Sequence, residues 1–242
     1  MEAIKTYNLT KKYKDITALD TLNLEIRGGE LFSLLGVNGA GKTTLIKILS
    51  TITEATEGDA TVGGFSIRDD AKKVKNLIGV SPQESAVAPN LTVFENLSFI
   101  CGIFGFSKEK TEEKIKDALK LFKLDSVLKK KAGKLSGGYM RRLSIAMAII
   151  SEPDILFLDE PTLGLDVIAR SELWELILSM KGKTTIVLTT HYMEEAEALS
   201  DRVGIMKNGR LLAACTPSEL IKMTGEDKFE SAFIKIIKEE KI

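Results

Sequence analysis

The stretch Gly36-Val37-Asn38-Gly39-Ala40-Gly41-Lys42-Thr43 decides the fold. It leaves the apolar, strand-like run Leu31–Leu35 and enters Thr43–Leu49, which has helical character and ends at the polar pair Ser50-Thr51. A strand, a G-x-x-x-x-G-K-[ST] turn and a helix in that order form a phosphate cradle. The glycines let successive backbone N–H groups turn inward, and the starting helix adds the positive end of its dipole. Lys42 is placed to reach the β- and γ-phosphates of a nucleoside triphosphate, and the Thr43 hydroxyl to bind Mg²⁺.

Hydrolysis needs more groups, and the chain offers them at the ends of other strand-like runs. Ile155-Leu156-Phe157-Leu158-Asp159-Glu160 is an apolar strand ending in two carboxylates. In an open parallel sheet such an end faces the nucleotide crevice. Asp159 is placed to hold Mg²⁺ through water, because Mg²⁺ keeps much of its water shell. Glu160 is the candidate general base for an attacking water, a role typically worth about 10²–10⁴-fold. His191, the single histidine, directly follows the apolar run Thr184–Thr189. A neutral imidazole there can donate one hydrogen bond to a γ-phosphate and accept another from water. Gln83, after Ser81-Pro82, offers an amide oxygen to the Mg²⁺ shell or the water, and the Tyr13 ring offers a face on which adenine could stack.

Around these residues, Ala3–Asn8, Leu22–Ile26 and Leu77–Val80 read as short strands, with turns at Gly28-Gly29 and Val62-Gly63-Gly64. From about residue 84 to 150 strand-like runs disappear, and Glu109–Phe122 and Gly137–Ile150 carry apolar residues at helical spacing. Ile155–Leu158, the helix Ala169–Met180 and Thr184–Thr189 then alternate as parallel strands with a crossover helix. Asn208-Gly209 marks a hairpin between Val203–Lys207 and Arg210–Ala214. The reading is a single α/β domain over 1–242: a P-loop core with a mainly parallel sheet, an N-terminal antiparallel β-subdomain and an inserted helical subdomain. A C-terminal amphipathic helix over 227–242, with Phe229, Phe233, Ile236 and Ile237 on one face, is expected to pack on the core.

A second helix start, Leu135-Ser136-Gly137-Gly138-Tyr139, has Ser136 in the N-cap position and two glycines that permit close backbone approach. Arg141 and Arg142 follow in its first turns, so this helix end also reads as a seat for an anion. One nucleotide does not need two such devices, which raises the question of where the second phosphate comes from.

The 242 residues suffice for a large core. Hydrophobic and charged contents of 44% and 28% are those of an ordinary globular protein. Lys+Arg and Asp+Glu are both 34, so no global basic field points to nucleic acid. Cys101 and Cys215 lack metal-ligand spacing and read as reduced thiols. The start Met1-Glu2-Ala3-Ile4-Lys5 has no signal-peptide run. The most apolar ten-residue window, Leu97–Phe106, falls short of the about 20 residues that span a bilayer. A membrane role would therefore come through a partner.

Taken together, these motifs resemble the ATP-binding subunit of ATP-binding-cassette (ABC) transporters, over roughly residues 2–235. In that family Tyr13 corresponds to the adenine-stacking aromatic, Gly36–Thr44 to Walker A and Gln83 to the Q-loop. Leu135–Tyr139 corresponds to the signature, Ile155–Glu160 to Walker B, Leu163–Asp166 to the D-loop and His191 to the switch histidine. The resemblance implies ATP and Mg²⁺ as cofactors, with Thr44 among the nucleotide contacts. It implies a head-to-tail dimer with a second copy or a homologous subunit, in which the signature and Asp166 reach the nucleotide of the other chain. It further implies a multi-span permease on a separate chain, at the cytoplasmic face of a prokaryotic membrane.

Leu91–Leu97, Gly138–Leu143 and His191–Ala196 resemble drug-, lipid- or polysaccharide-type exporters, and the chain ends without the regulatory extension of many importers. Three positions depart from the family pattern: Tyr139 stands for the common signature Gln, Leu163 for the D-loop Ser and Val37 for the Walker A Pro. The alternative is a soluble ABC-type switch acting on ribosomes or DNA. Such relatives usually join two cassettes or carry a long coiled-coil insertion, and neither is seen here.

Overall fold

The computed structural model describes residues 2–239; the last three positions of the expected C-terminal helix lie outside that range. Strand β1 (Glu2–Tyr13) pairs antiparallel with β2 (Ile16–Leu22) and with β3 (Glu25–Arg27). The single strand expected over Leu22–Ile26 is therefore two strands with a break. The Thr6 hydroxyl spans that break, donating to the Leu22 carbonyl at 2.9 Å and accepting from the Leu24 N–H at 2.8 Å. β2 is hard to see in the sequence because polar and apolar residues mix in ITALDTL without clean alternation.

β4 (Leu31–Leu35) is buried at every position and feeds helix α1 (Lys42–Leu49). β5 (Glu57–Val62) and β6 (Phe65–Ser66) complete the antiparallel sheet around the Gly63-Gly64 turn. Helix α2 (Ala71–Leu77) leads into β7 (Ile78–Ser81). Between β7 and β8 (Ile155–Asp159) the regular structure is helical: α3 (Val93–Ile103), α4 (Lys108–Phe122) and α5 (Gly137–Ile149). Helix α6 (Val167–Met180), β9 (Thr185–Thr190), α7 (Met193–Leu199), β10 (Arg202–Lys207) and β11 (Arg210–Cys215) follow. The last elements are α8 (Pro217–Thr224) and α9 (Phe229–Glu239). Helices α2, α3, α7 and α8 add to the expected elements; α3 and α8 each start at a capping box, Thr92 with Glu95 and Thr216 with Glu219, that is a helix signal in its own right.

The larger sheet runs β11-β10-β4-β9-β8-β7, parallel throughout except for the β10–β11 hairpin. Its register pairs Leu35 with Thr190, Asp159 with Thr189 and Ser81 with Leu158. The C-terminal ends of β4, β9, β8 and β7 therefore stop at one edge. There they deliver the P-loop, His191, Glu160 and Gln83.

Strand alternation divides the core between the two faces of this sheet. Leu156, Leu158, Ile186 and Leu188 pack with the helical insertion, among Leu97, Phe122 and Leu143. Ile155, Phe157 and Val187 face the other way, toward α1 and the antiparallel sheet, among Ile46, Leu49 and Ile4. The apolar face of α9 closes a third cluster, in which Phe229, Phe233 and Ile236 are buried against Leu35, Val203 and Ile205. That face packs on the core, as its periodicity suggests.

Candidate nucleotide-binding site

Two glycines of the P-loop are set by their neighbours. A side chain at Gly36 would place its Cβ 2.4 Å from the Met206 carbonyl oxygen. At Gly41 the backbone is left-handed, with φ of 105°, and a Cβ would lie 2.5 Å from the Ala18 carbonyl oxygen. The packing of β10 and β2 against the loop thus keeps its N–H groups close to the cleft beside α1.

That cleft measures about 780 Å³ and is lined by Asn38–Thr44. Tyr13, Gln83, Glu160, Leu163 and His191 face the same space. Gly36 and Val37 do not line it, but their carbonyls accept from Lys42. Lys42 Nζ donates to Gly36 O at 2.6 Å and more weakly to Val37 O at 3.4 Å, and lies 3.7 Å from Glu160 Oε1. Burial pushes the Lys42 ammonium below its usual range, while Glu160 and Asp159 act in the opposite sense.

The two carboxylates of the β8 end have different surroundings. Asp159 Oδ1 accepts from the Thr43 hydroxyl at 3.1 Å and from the Thr189 hydroxyl at 2.5 Å. Glu160 has left-handed backbone, with φ of 49°, and its N–H donates to both the Thr189 carbonyl and the Thr189 hydroxyl oxygen. Its carboxylate is 2.8 Å from His191 Nδ1 through Oε2. Thr189 thus fixes both acids, a role that nothing in the sequence pattern of a buried strand announces.

Thr43, Asp159 and Gln83 offer only oxygen donors, and Thr43 and Asp159 already share one position. This hard set suits Mg²⁺, which takes its remaining ligands from phosphates and water. Among the described residues no cluster of three or more His, Cys, Asp or Glu forms a fuller metal cage.

None of Leu135, Ser136, Gly137, Gly138 and Tyr139 lines this cleft. Ser136 occupies the N-cap position of α5 without a side-chain capping bond, and both Ser136 and Gly137 are exposed. The Tyr139 ring is half-buried against the helical core, with the Arg142 guanidinium 5.7 Å from its centroid. Asp166 caps α6, its Oδ1 accepting from Ala169 N at 2.9 Å. Arg141 and Arg142 do not complete an anion seat. Arg142 is bonded to Glu172, and Arg141 is buried with its donors turned onto backbone carbonyls.

A strand, P-loop and helix on a parallel sheet, with a Thr–Asp pair and a Glu–His pair at neighbouring strand ends, define a P-loop nucleotide-binding cassette. The chain belongs to the ABC transporter family, whose model, described as "ABC transporter", matches residues 19–163. It is 39% identical over 240 residues to the probable multidrug ABC transporter ATP-binding protein YbhF of Escherichia coli K12, covering 97% of this chain and 41% of that protein. It is 40% identical over 217 residues to the Nod factor export ATP-binding protein I of Burkholderia lata, covering 89% of this chain and 71% of that one. The chain thus spans less than half the length of the first relative. Among solved structures it resembles an ATP-binding subunit of an ABC transporter, with a TM-score of 0.88 and 27% identity over 98% of this chain and 100% of that one. It also resembles the dimeric post-hydrolysis state of the cassette MJ0796 bound to ADP and Pi, with a TM-score of 0.80 and 29% identity over 88% and 98% of the two chains.

Proposed function

We propose that this chain is the ATP-hydrolysing subunit of an ABC exporter, closing head to tail on a second cassette and driving a separate membrane permease. The observation that carries it is the division of parts. Glu160, His191, Lys42 and the P-loop share one cleft, whereas the exposed Ser136-Gly137 helix start lies outside it. A second chain then supplies the missing wall, and ATP held at one P-loop is covered by the signature of the other. Because ATP touches both chains only in the closed pair, its differential affinity favours closure.

In this reading the P-loop N–H groups of Asn38–Thr43 cradle the phosphates, and Lys42 leaves the Gly36 carbonyl for the β- and γ-oxygens. Tyr13 stacks on adenine. Thr43, Asp159 and Gln83 would hold Mg²⁺, which would supply charge neutralisation at the phosphates. Glu160 takes the proton of the attacking water. A His191 ring that donates from Nδ1 to Glu160 has only a lone pair at Nε2 while it stays neutral. Donation to a γ-phosphate oxygen therefore needs a doubly protonated ring, or the Nε2–H tautomer with Nδ1 no longer donating to Glu160. Asp166 combines its capping role with a place beside the partner's nucleotide.

Among the described residues no helix is long and apolar enough to cross a membrane. Attachment to the cytoplasmic face would run through the permease. The relatives named for multidrug and Nod factor export support the exporter reading. The test is ATP turnover by the purified chain, together with affinity purification from membranes. Phosphate release with a co-purifying multi-span protein is expected; co-sedimentation with ribosomes instead would overturn the transporter assignment.

A further inference from the structure

Arg141 is a charged side chain in an unusual setting. It is 7% exposed, and among the described residues its hydrogen bonds run to backbone carbonyls, with the carboxylates of Asp159, Glu195 and Glu160 near enough to favour its charge. Its Nε donates to Pro161 O at 2.8 Å, Nη1 to Pro82 O at 2.7 Å, and Nη2 to Asp159 O at 2.5 Å. A guanidinium stays charged even when buried, so these charge-assisted bonds offset its lost hydration.

The acceptors bear on the site. Asp159 and Pro161 are the residues on either side of Glu160, whose backbone is held left-handed. Pro82 immediately precedes Gln83. Strand β7 ends at Ser81, and Pro82 has no N–H with which to continue the ladder beside β8. The guanidinium satisfies the Asp159 carbonyl where the sheet edge stops. One turn further along α5, Ser144 Oγ lies 2.9 Å from Ser81 Oγ, so the same helix face is tied to the end of β7.

Resting on the ATPase reading above, we propose that Arg141 is a positioning residue for hydrolysis. Acting within its own chain, it fixes the backbone on both sides of Glu160 and the backbone entering Gln83, and so holds the base against the attacking water. Its planar fork serves four carbonyls, those of Pro161, Pro82 and Asp159 and, at 3.4 Å, Gln83, which a lysine ammonium on a flexible stem does not reproduce. Displacement of a reacting group by about 1 Å can cost about 10²-fold in rate.

The test uses Arg141→Lys, which keeps the charge, in the wild-type chain and in a Glu160→Gln background. R141K is expected to lower kcat by about tenfold or more while leaving ATP affinity unchanged. The double variant should still form the ATP-dependent dimer on gel filtration, as E160Q alone does. An unchanged kcat, or a loss of ATP affinity equal to the loss of rate, overturns the proposal. So does loss of the dimer in the double variant, which would place Arg141's effect at the partner's nucleotide. Where R141K melts below the assay temperature, R141Q carries the same measurements. If both variants lose cooperative unfolding, Arg141 is a structural pin and the proposal falls. Absence of turnover in the wild type, or of a dimer in E160Q alone, would instead defeat the ATPase reading itself.

Discussion

His191 Nδ1 lies 2.8 Å from Glu160 Oε2, so the imidazole directly engages the proposed base. On the other carboxylate oxygen Lys42 stands 3.7 Å away. Histidine therefore orients the carboxylate as well as lining the cleft beside the P-loop. His191→Ala should lower kcat by about 10²-fold or more. ATP affinity should change little, because the phosphate cradle is built by other residues. Steady-state turnover with calorimetry checks both, and unaltered turnover would remove His191 from the mechanism.

Lys42 is poised inside the phosphate cradle, with its ammonium on the Gly36 carbonyl and largely out of water. Phosphate oxygens are better acceptors than a neutral carbonyl, so nucleotide binding is expected to recruit this charge. Lys42→Ala should weaken ATP binding by about 10²-fold, equivalent to about 2.7 kcal/mol. Isothermal calorimetry measures it directly, and unchanged affinity would refute the phosphate role.

Glu160→Gln removes the proton acceptor while keeping a side chain of the same shape. The amide can still accept from His191 through its oxygen. This variant should bind ATP, close with a second copy and stall as a dimer on gel filtration, with turnover reduced by about 10²-fold or more. Hydrolysis at the wild-type rate would show that Glu160 is not the base.

Gly137→Asp tests the shared site from the other chain. A Cβ at Gly137 meets only Leu165 Cδ2, at 3.9 Å, so the substitution has room in the single chain. A carboxylate in the first turn of α5 is also favoured by the helix dipole. Monomer stability should therefore stay within about 0.5 kcal/mol of the parent, and ATP affinity of the monomer should persist. The new charge would face the γ-phosphate of a partner's ATP. ATP-induced dimerisation should disappear, and a dimer persisting on gel filtration would contradict the head-to-tail arrangement.

The residues legible in the sequence are those whose chemistry sits in one contiguous strand–turn–helix unit. Lys42 and Thr43 follow β4, Asp159 and Glu160 end β8, and His191 follows β9; each is announced by a buried apolar run just before it. Parallel register then aligns those ends, which strand alternation with a crossover helix foretells. The place of Arg141 is hidden for the converse reason. Its position early in a Ser-Gly-Gly helix suggests an anion, whereas its partners Pro82 and Pro161 are 59 and 20 residues away in sequence. Thr189 likewise looks like any β-branched residue of a buried strand until the register sets it beside Asp159. The break between β2 and β3 depends on the Thr6 hydroxyl, a contact 18 residues distant from Leu24.

Glu195 ties burial to pH. It is fully buried on α7, and its Oε1 accepts from the Thr162 hydroxyl at 2.8 Å and the Trp174 indole N–H at 3.0 Å. Its Oε2 has no hydrogen-bond partner among the described residues. Burial pushes this carboxyl above its ordinary value, against the hydrogen bonds from Thr162 and Trp174. The folded state therefore favours the protonated acid. Its contribution to stability is fully present below the ordinary value near 4.5 and is lost as pH rises through the raised folded value. Glu195→Gln keeps an acceptor oxygen for Thr162 and Trp174 but has nothing to ionise. Relative to this variant, the wild-type chain should lose unfolding free energy as pH rises from about 5 to about 8. Urea unfolding of both proteins at the two pH values measures the difference. A parallel pH dependence would mean that Glu195 ionises as freely in the folded chain as in the unfolded one.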